Sequence, residues 1–193
     1  MAQHDDTWRL VDQQVVVTDP WLEVYENQYE LPDGSRLDKY HALRERDGVV
    51  IVALTPQQDM LLVRQYRPGI EALVYELPAG FVEDGETDLL ERAKKELAEE
   101  TGYAAAEWQG IGPLHDAPHR IKKTTHCFLA LNVRPVTEQH QDATEFVRYE
   151  RVPIARALQM IRADEITSAV MVAAILKALL VLGRVLEAEP PHS

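Results

Sequence analysis

The residues of this chain best placed to do chemistry are Glu96, Glu99 and Glu100, in the run Lys95-Glu96-Leu97-Ala98-Glu99-Glu100-Thr101-Gly102. On an α-helix, at about 100° per residue, Glu100 lies about 40° to one side of Glu96 and Glu99 about 60° to the other, so the three carboxylates share one arc. Leu90, Ala93 and Leu97 fall on the arc next to Glu100. The acid strip therefore borders an apolar face, where mutual repulsion is more costly than in bulk water. A divalent cation that favours oxygen donors, Mg²⁺ or Mn²⁺, removes that cost. The plainer alternative is a Glu-rich helix face turned to solvent. The flanking residues favour the metal: Pro78, Gly80 and Gly85 bracket a loop, Thr87 or Asp88 can cap a helix start, and Gly102 can stop it. The spacing predicts a short helix fed by a loop.

Glu76-Leu77-Pro78-Ala79-Gly80, Gly85-Glu86 and Lys95 through Tyr103 together resemble a Nudix box. The resemblance departs from the family pattern twice. One extra residue separates Glu86 from the position where the family has Arg, and Lys95 stands in that position. An extra residue near Asp88 is most easily absorbed at the loop–helix junction, which leaves the three acids in register with one another and shifts Glu86. Lys offers one mobile charge where Arg offers a fork of donors, which implies a looser metal site.

Leu62 to Pro68, leading to Glu76–Gly80, is similar to the ADP-ribose and nucleoside diphosphate sugar pyrophosphatase branch of that family. The resemblance implies an α/β fold, the Nudix α/β/α sandwich, with a small N-terminal antiparallel β element and a homodimer. It implies Mg²⁺ or Mn²⁺ held by Glu96 and Glu100, with Glu99 as a further ligand or an aid to water activation and the Ala79 carbonyl completing the shell. It implies a catalytic carboxylate on a later loop, where Glu138, Asp142 and Glu145 are candidates; Glu145 begins an apolar run and is the preferred one. A guanidinium on the strand before the box, Arg67 or Arg64, can grip a diphosphate bidentately, the alternative being strand-edge charges facing water. Glu76 is a substrate-side or structural carboxylate, and Arg120, with Lys122 and Lys123, offers a cationic rim for phosphate. His115, His119 and His126 lack tight ligand spacing and read as rim or core residues rather than a zinc site. The implied reaction is metal-assisted hydrolysis of ADP-ribose or a nucleotide sugar. Dinucleoside polyphosphates, nucleoside triphosphates or a non-catalytic nucleotide-binding module remain as alternatives.

At 193 residues and 46% hydrophobic, the chain is long enough for a substantial core and is most simply one domain with a small appended element. A net charge of −12 argues against nucleic acid or an anionic membrane as partner. Cys127 is the sole cysteine, which excludes an internal disulfide and points to a reducing compartment. Met1 to Asp6 carries neither a basic start nor an apolar core, and no run reaches the ~18 apolar residues of a membrane span, so a cytoplasmic location is expected.

The elements that must position the acids follow from pattern. Strands are expected at 14–18, 22–26, 36–44, 49–54, 60–66, 125–133 and 145–152, with turns at 31–35 and 55–59. Helices are expected at 153–162 and 168–182, the latter with a broad apolar stripe of Val170, Val172, Ala173, Ile175, Leu176, Leu179, Leu180 and Leu182. The expected division is a β element over 1–46 in dimer contacts, a hydrolase domain over 47–186 and a disordered tail over 187–193.

Overall fold

A computed structural model describes residues 6–137 and 147–184. The chain divides into two compact units, one formed by 1–46 with 115–124 and the other by 47–114 with 125–193. In chain order the elements are β1 (Arg9–Thr18), β2 (Leu22–Glu30), β3 (Arg36–Glu45), β4 (Gly48–Leu54), β5 (Asp59–Arg67), β6 (Ala72–Glu76), β7 (Ala79–Phe81) and α1 (Leu89–Thr101). There follow β8 (Tyr103–Ala104), β9 (Glu107–Leu114), β10 (Ile121–Lys122), β11 (Thr125–Leu131), β12 (Arg134–Pro135), β13 (Arg148–Pro153), α2 (Ile154–Arg162) and α3 (Ala169–Val181).

The first unit is a sheet in the order β1-β2-β3-β10. Its long strands form an antiparallel meander through the 31–35 turn, as the sequence predicts. The parallel addition of β10, pairing Ile121 with Leu43, is long-range and has no local signal. Trp8, Tyr29 and Tyr40 meet edge-to-face, with ring centroids 5.7–6.1 Å apart, and the Arg120 guanidinium lies 4.9 Å from the Tyr40 ring. Arg120 also donates to the His41 carbonyl at 3.0 Å.

The second unit is built on a mixed sheet in the order β13-β5-β4-β11-β9, with β6 paired to β5 and β7 to β4. Central strand β4 is buried at every position, as an unbroken apolar run requires when both sheet faces are covered. Its side chains alternate: Val49, Ile51 and Ala53 pack with Ala93 and Leu97 of α1, while Val50, Val52 and Leu54 pack with Ala157 and Met160 of α2 and with Ala174, Ile175 and Ala178 of α3. Each fully buried aliphatic side chain here contributes about 1.5–3 kcal/mol.

Where described, the expected strands and helices are present, but β1 begins five residues earlier than expected, at Arg9, and β2 ends four later, at Glu30. Strands β6, β7, β8, β9, β10 and β12 are absent from the sequence expectation. All but β9 are five residues or fewer, and β9 carries Gly110, Gly112 and Pro113 and bulges opposite Cys127 and Phe128, features that weaken a strand pattern. The apolar stripe of α3 is corrected in part, since Leu176 and Leu180 are exposed while Met171, Ala174 and Ala178 are buried. Residues 187–193 lie outside the described residues. Among those described, no helix is long and apolar enough to cross a membrane.

Cys127 sits on β11 in the core, and burial pushes its thiol up to about 11. A thiol held that high is almost wholly protonated at pH 8. Iodoacetamide should therefore modify the native protein at least about a hundredfold more slowly than the urea-unfolded chain; rates within a few-fold would mean that the thiol is accessible.

Candidate active site

Helix α1 starts where the Asp88 side chain accepts the backbone N–H groups of Leu90 and Glu91, both at 3.1 Å. It ends at Gly102, whose left-handed φ of 74° lets its N–H return to the Ala98 carbonyl. The helix runs unbroken from Leu89 to Thr101, so Glu96, Glu99 and Glu100 keep their register with one another. Asp88→Ala should lower stability by about 1 kcal/mol, or roughly 2–4 °C in Tm. An unchanged thermal melt would show that the cap contributes nothing.

Of Glu96, Glu99 and Glu100, two turn inward. Glu96 is 7% exposed and Glu100 6%. Glu100 Oε2 accepts the Ala79 backbone N–H at 2.9 Å, which ties the helix to β7. Glu96 lies against Gly80, where an added Cβ would come within 1.9 Å of its Oε1, so only a glycine leaves room for that carboxylate. The Glu99 side chain is 43% exposed and lies 3.9 Å from Lys95 Nζ, so it does not join the inward pair.

The guanidinium of the site comes from Arg92. Its side chain is 10% exposed, and its Nη2 donates to Glu96 Oε1. Nη1 lies 3.4 Å from Glu83 Oε1 and 3.8 Å from Glu86 Oε1. Glu86 in turn accepts the Glu83 backbone N–H at 2.9 Å and braces the loop. Lys95, in the family's Arg position, is 54% exposed. Sequence reasoning missed Arg92, though its spacing four residues before Glu96 was a signal for a helical ion pair.

Glu76 is buried on β6, and its Oε2 accepts Arg67 Nε at 2.7 Å, Arg67 Nη2 at 2.6 Å and Gln65 Nε2 at 3.1 Å. Glu76 thus holds Arg67, which stays partly exposed. Arg64 stands elsewhere: its guanidinium lies 5.5 Å from the Tyr75 ring, and Tyr75 packs on the α2/α3 side of the sheet. Its strand neighbour Leu61 packs on the α1 side, so the structure does not bring Arg64 to the box glutamates. Arg120 belongs to the first unit. Glu138, Asp142 and Glu145 lie outside the described residues.

Among the described residues no three His, Cys, Asp or Glu side chains converge as a ready-made metal cage. The donor chemistry nevertheless fits Mg²⁺ or Mn²⁺. Such ions are commonly held by one or two carboxylates and completed by substrate phosphates and water, and Glu96 and Glu100 are two buried hard-oxygen donors one turn apart.

A mixed sheet between helices, carrying paired buried glutamates on a capped loop–helix unit, defines an α/β/α hydrolase architecture. The chain belongs to the NUDIX domain family, which matches residues 44–174. It is 30% identical over 149 residues to the ADP-ribose pyrophosphatase of Bacillus subtilis (strain 168), covering 77% of this chain and 80% of that one. It is 28% identical over 180 residues to the ADP-ribose pyrophosphatase of Mycobacterium tuberculosis (strain ATCC 25618 / H37Rv), covering 91% and 84%. Its fold matches a crystal structure of an ADP compounds hydrolase with a TM-score of 0.79 at 24% identity, over 92% of this chain and 97% of that one. Nudix hydrolases generally use divalent metal ions.

Proposed function

We propose that this chain hydrolyses the diphosphate of ADP-ribose or a nucleoside diphosphate sugar, giving a nucleoside monophosphate and a sugar phosphate. The observation that carries this reading is the pair of buried carboxylates, Glu96 and Glu100, on the loop–helix unit of a NUDIX domain. The names of the two bacterial relatives supply the substrate class.

In this reading Glu96 and Glu100 hold Mg²⁺ or Mn²⁺, with the Ala79 carbonyl beside them. The bound ion supplies charge neutralisation of the diphosphate and a lowered pKa for a coordinated water. The Ala79 N–H keeps Glu100 oriented, and the missing side chain at Gly80 keeps the Glu96 carboxylate in place. Glu99, which faces solvent beside Lys95, would have to turn from that lysine to take the proton of the attacking water. Arg67, oriented by Glu76, presents its guanidinium to the phosphates.

The same reading includes a homodimer formed through the first unit. Every residue of edge strand β1 is exposed, including Leu10, Val11, Val15, Val16 and Val17, and a second chain can pair with that edge and cover these side chains. The lone buried Cys127 is in keeping with a reducing, cytoplasmic setting.

The test is phosphatase-coupled phosphate release from ADP-ribose, GDP-mannose, UDP-glucose and diadenosine polyphosphates, with Mg²⁺ or Mn²⁺. Turnover of the sugar diphosphates is expected, while preferred turnover of diadenosine polyphosphates would move the substrate class. Metal-dependent binding without turnover of any compound would replace the hydrolase by a sensor.

A further inference from the structure

We infer that Arg92, rather than Lys95, is the residue that positions Glu96 for metal binding, and that it does so by fastening the loop ahead of α1 to that carboxylate. This rests on the reading that Glu96 is a metal ligand.

Helix geometry favours Arg92. At about 100° per residue it lies about 40° around the helix from Glu96 and one turn before it, whereas Lys95 lies about 100° away. The structure follows that phase, since Arg92 reaches Glu96 while Lys95 turns outward to Glu99. A guanidinium also has the shape for the task. Its planar fork serves acceptors in two directions, here Glu96 through Nη2 and the Glu83 and Glu86 carboxylates through Nη1; an ammonium on a mobile stem has no such fixed geometry.

Burial gives a second, independent reason. The Arg92 side chain is nine-tenths buried, and its Nε–H is buried with no hydrogen-bond partner. A buried, unpartnered donor is unfavourable, so a guanidinium stays in such a place only when its other contacts hold it there. Those contacts are the loop acids and Glu96. The loop residue Glu86 adds a bond to the Glu83 backbone, so Arg92, Glu83 and Glu86 form one brace across the loop ahead of α1.

The sign of the effect on metal affinity separates positioning from charge. Arg92 is a cation beside a metal ligand, so simple electrostatics predicts that removing it strengthens cation binding. Positioning predicts the reverse, because the partner that orients a ligand typically accounts for 10–100-fold in metal affinity.

The experiment is Mn²⁺ binding followed by the electron paramagnetic resonance signal of free Mn²⁺, for the full chain and for Arg92→Ala, Arg92→Lys and Lys95→Ala, each with a thermal melt. The expected result is binding about tenfold or more weaker in Arg92→Ala, a similar loss in Arg92→Lys, which keeps the charge without the fork, and binding within twofold of the parent in Lys95→Ala. Unchanged or tighter binding in both Arg92 variants, or a larger loss in Lys95→Ala, would overturn the inference. If Arg92→Ala does not fold, Arg92→Lys decides by the same measurement; failure of both to fold would make Arg92 a folding residue and also overturn it. A parent protein that binds no Mn²⁺ would instead sink the metal reading on which the inference stands.

Discussion

Glu100→Gln is expected to remove metal-dependent hydrolysis almost completely, with kcat/KM lower by on the order of a thousandfold, or about 4 kcal/mol of transition-state stabilisation. The substitution is nearly isosteric and keeps an oxygen that can accept the Ala79 N–H, so the link between α1 and β7 survives. What it removes is one of two inward negative charges. Folding should tolerate the change, because glutamine has nearly the volume of glutamate and Glu96 keeps its own ion pair with Arg92. The expected signature is a melting temperature within a few degrees of the parent together with loss of turnover on whichever sugar diphosphate the panel selects. Activity within tenfold of the parent at saturating Mg²⁺ would show that Glu100 is not a metal ligand.

The helix that carries this chemistry was legible in the sequence because its signals are local. Asp88 caps it, Gly102 stops it, and the Glu96 to Glu100 spacing sets its inward face. The β4–β5 hairpin was legible for the same reason, through a turn between two apolar runs. What was not legible depends on tertiary placement. The alternation along β5 puts Arg64 on one face and Leu61 on the other, but nothing local says which face α1 covers; packing decides that, and it leaves Arg64 over Tyr75. Glu99 shares the helical arc of its neighbours in sequence, yet Lys95 and solvent hold it outside. The segment 115–124 joins the first unit through a parallel pairing to β3 across a long stretch of chain, which no window of sequence contains. Arg92 is the instructive miss. Attention to the residue directly before Glu96 found Lys95, whereas the helix brings the residue one turn earlier against the carboxylate.

Gly80→Ala should inactivate the site without unfolding the protein. The φ of Gly80 is not in the left-handed region, so alanine meets no backbone strain there, and the effect is one of space alone. The new Cβ would lie 1.9 Å from Glu96 Oε1, 2.1 Å from its Cδ and 2.7 Å from its Oε2. The three atoms nearest to it all belong to the carboxyl end of Glu96, which must loosen its ion pair with Arg92 to give way. The destabilisation should therefore fall within the ~1–3 kcal/mol typical of overpacking. The displaced group is a proposed metal ligand already fixed by Arg92, and a shift of about 1 Å at such a position can cost about a hundredfold in rate. The expected outcome is a fall in kcat/KM of at least about a hundredfold, with a melting temperature lower by no more than about 10 °C. A double-mutant cycle identifies the route of the effect. If the methyl acts by evicting Glu96, Gly80→Ala adds nothing once Glu96→Ala is present, and the double variant is as active as Glu96→Ala alone. A full further loss in the double variant would mean that Gly80 serves the substrate directly and that its closeness to Glu96 is incidental.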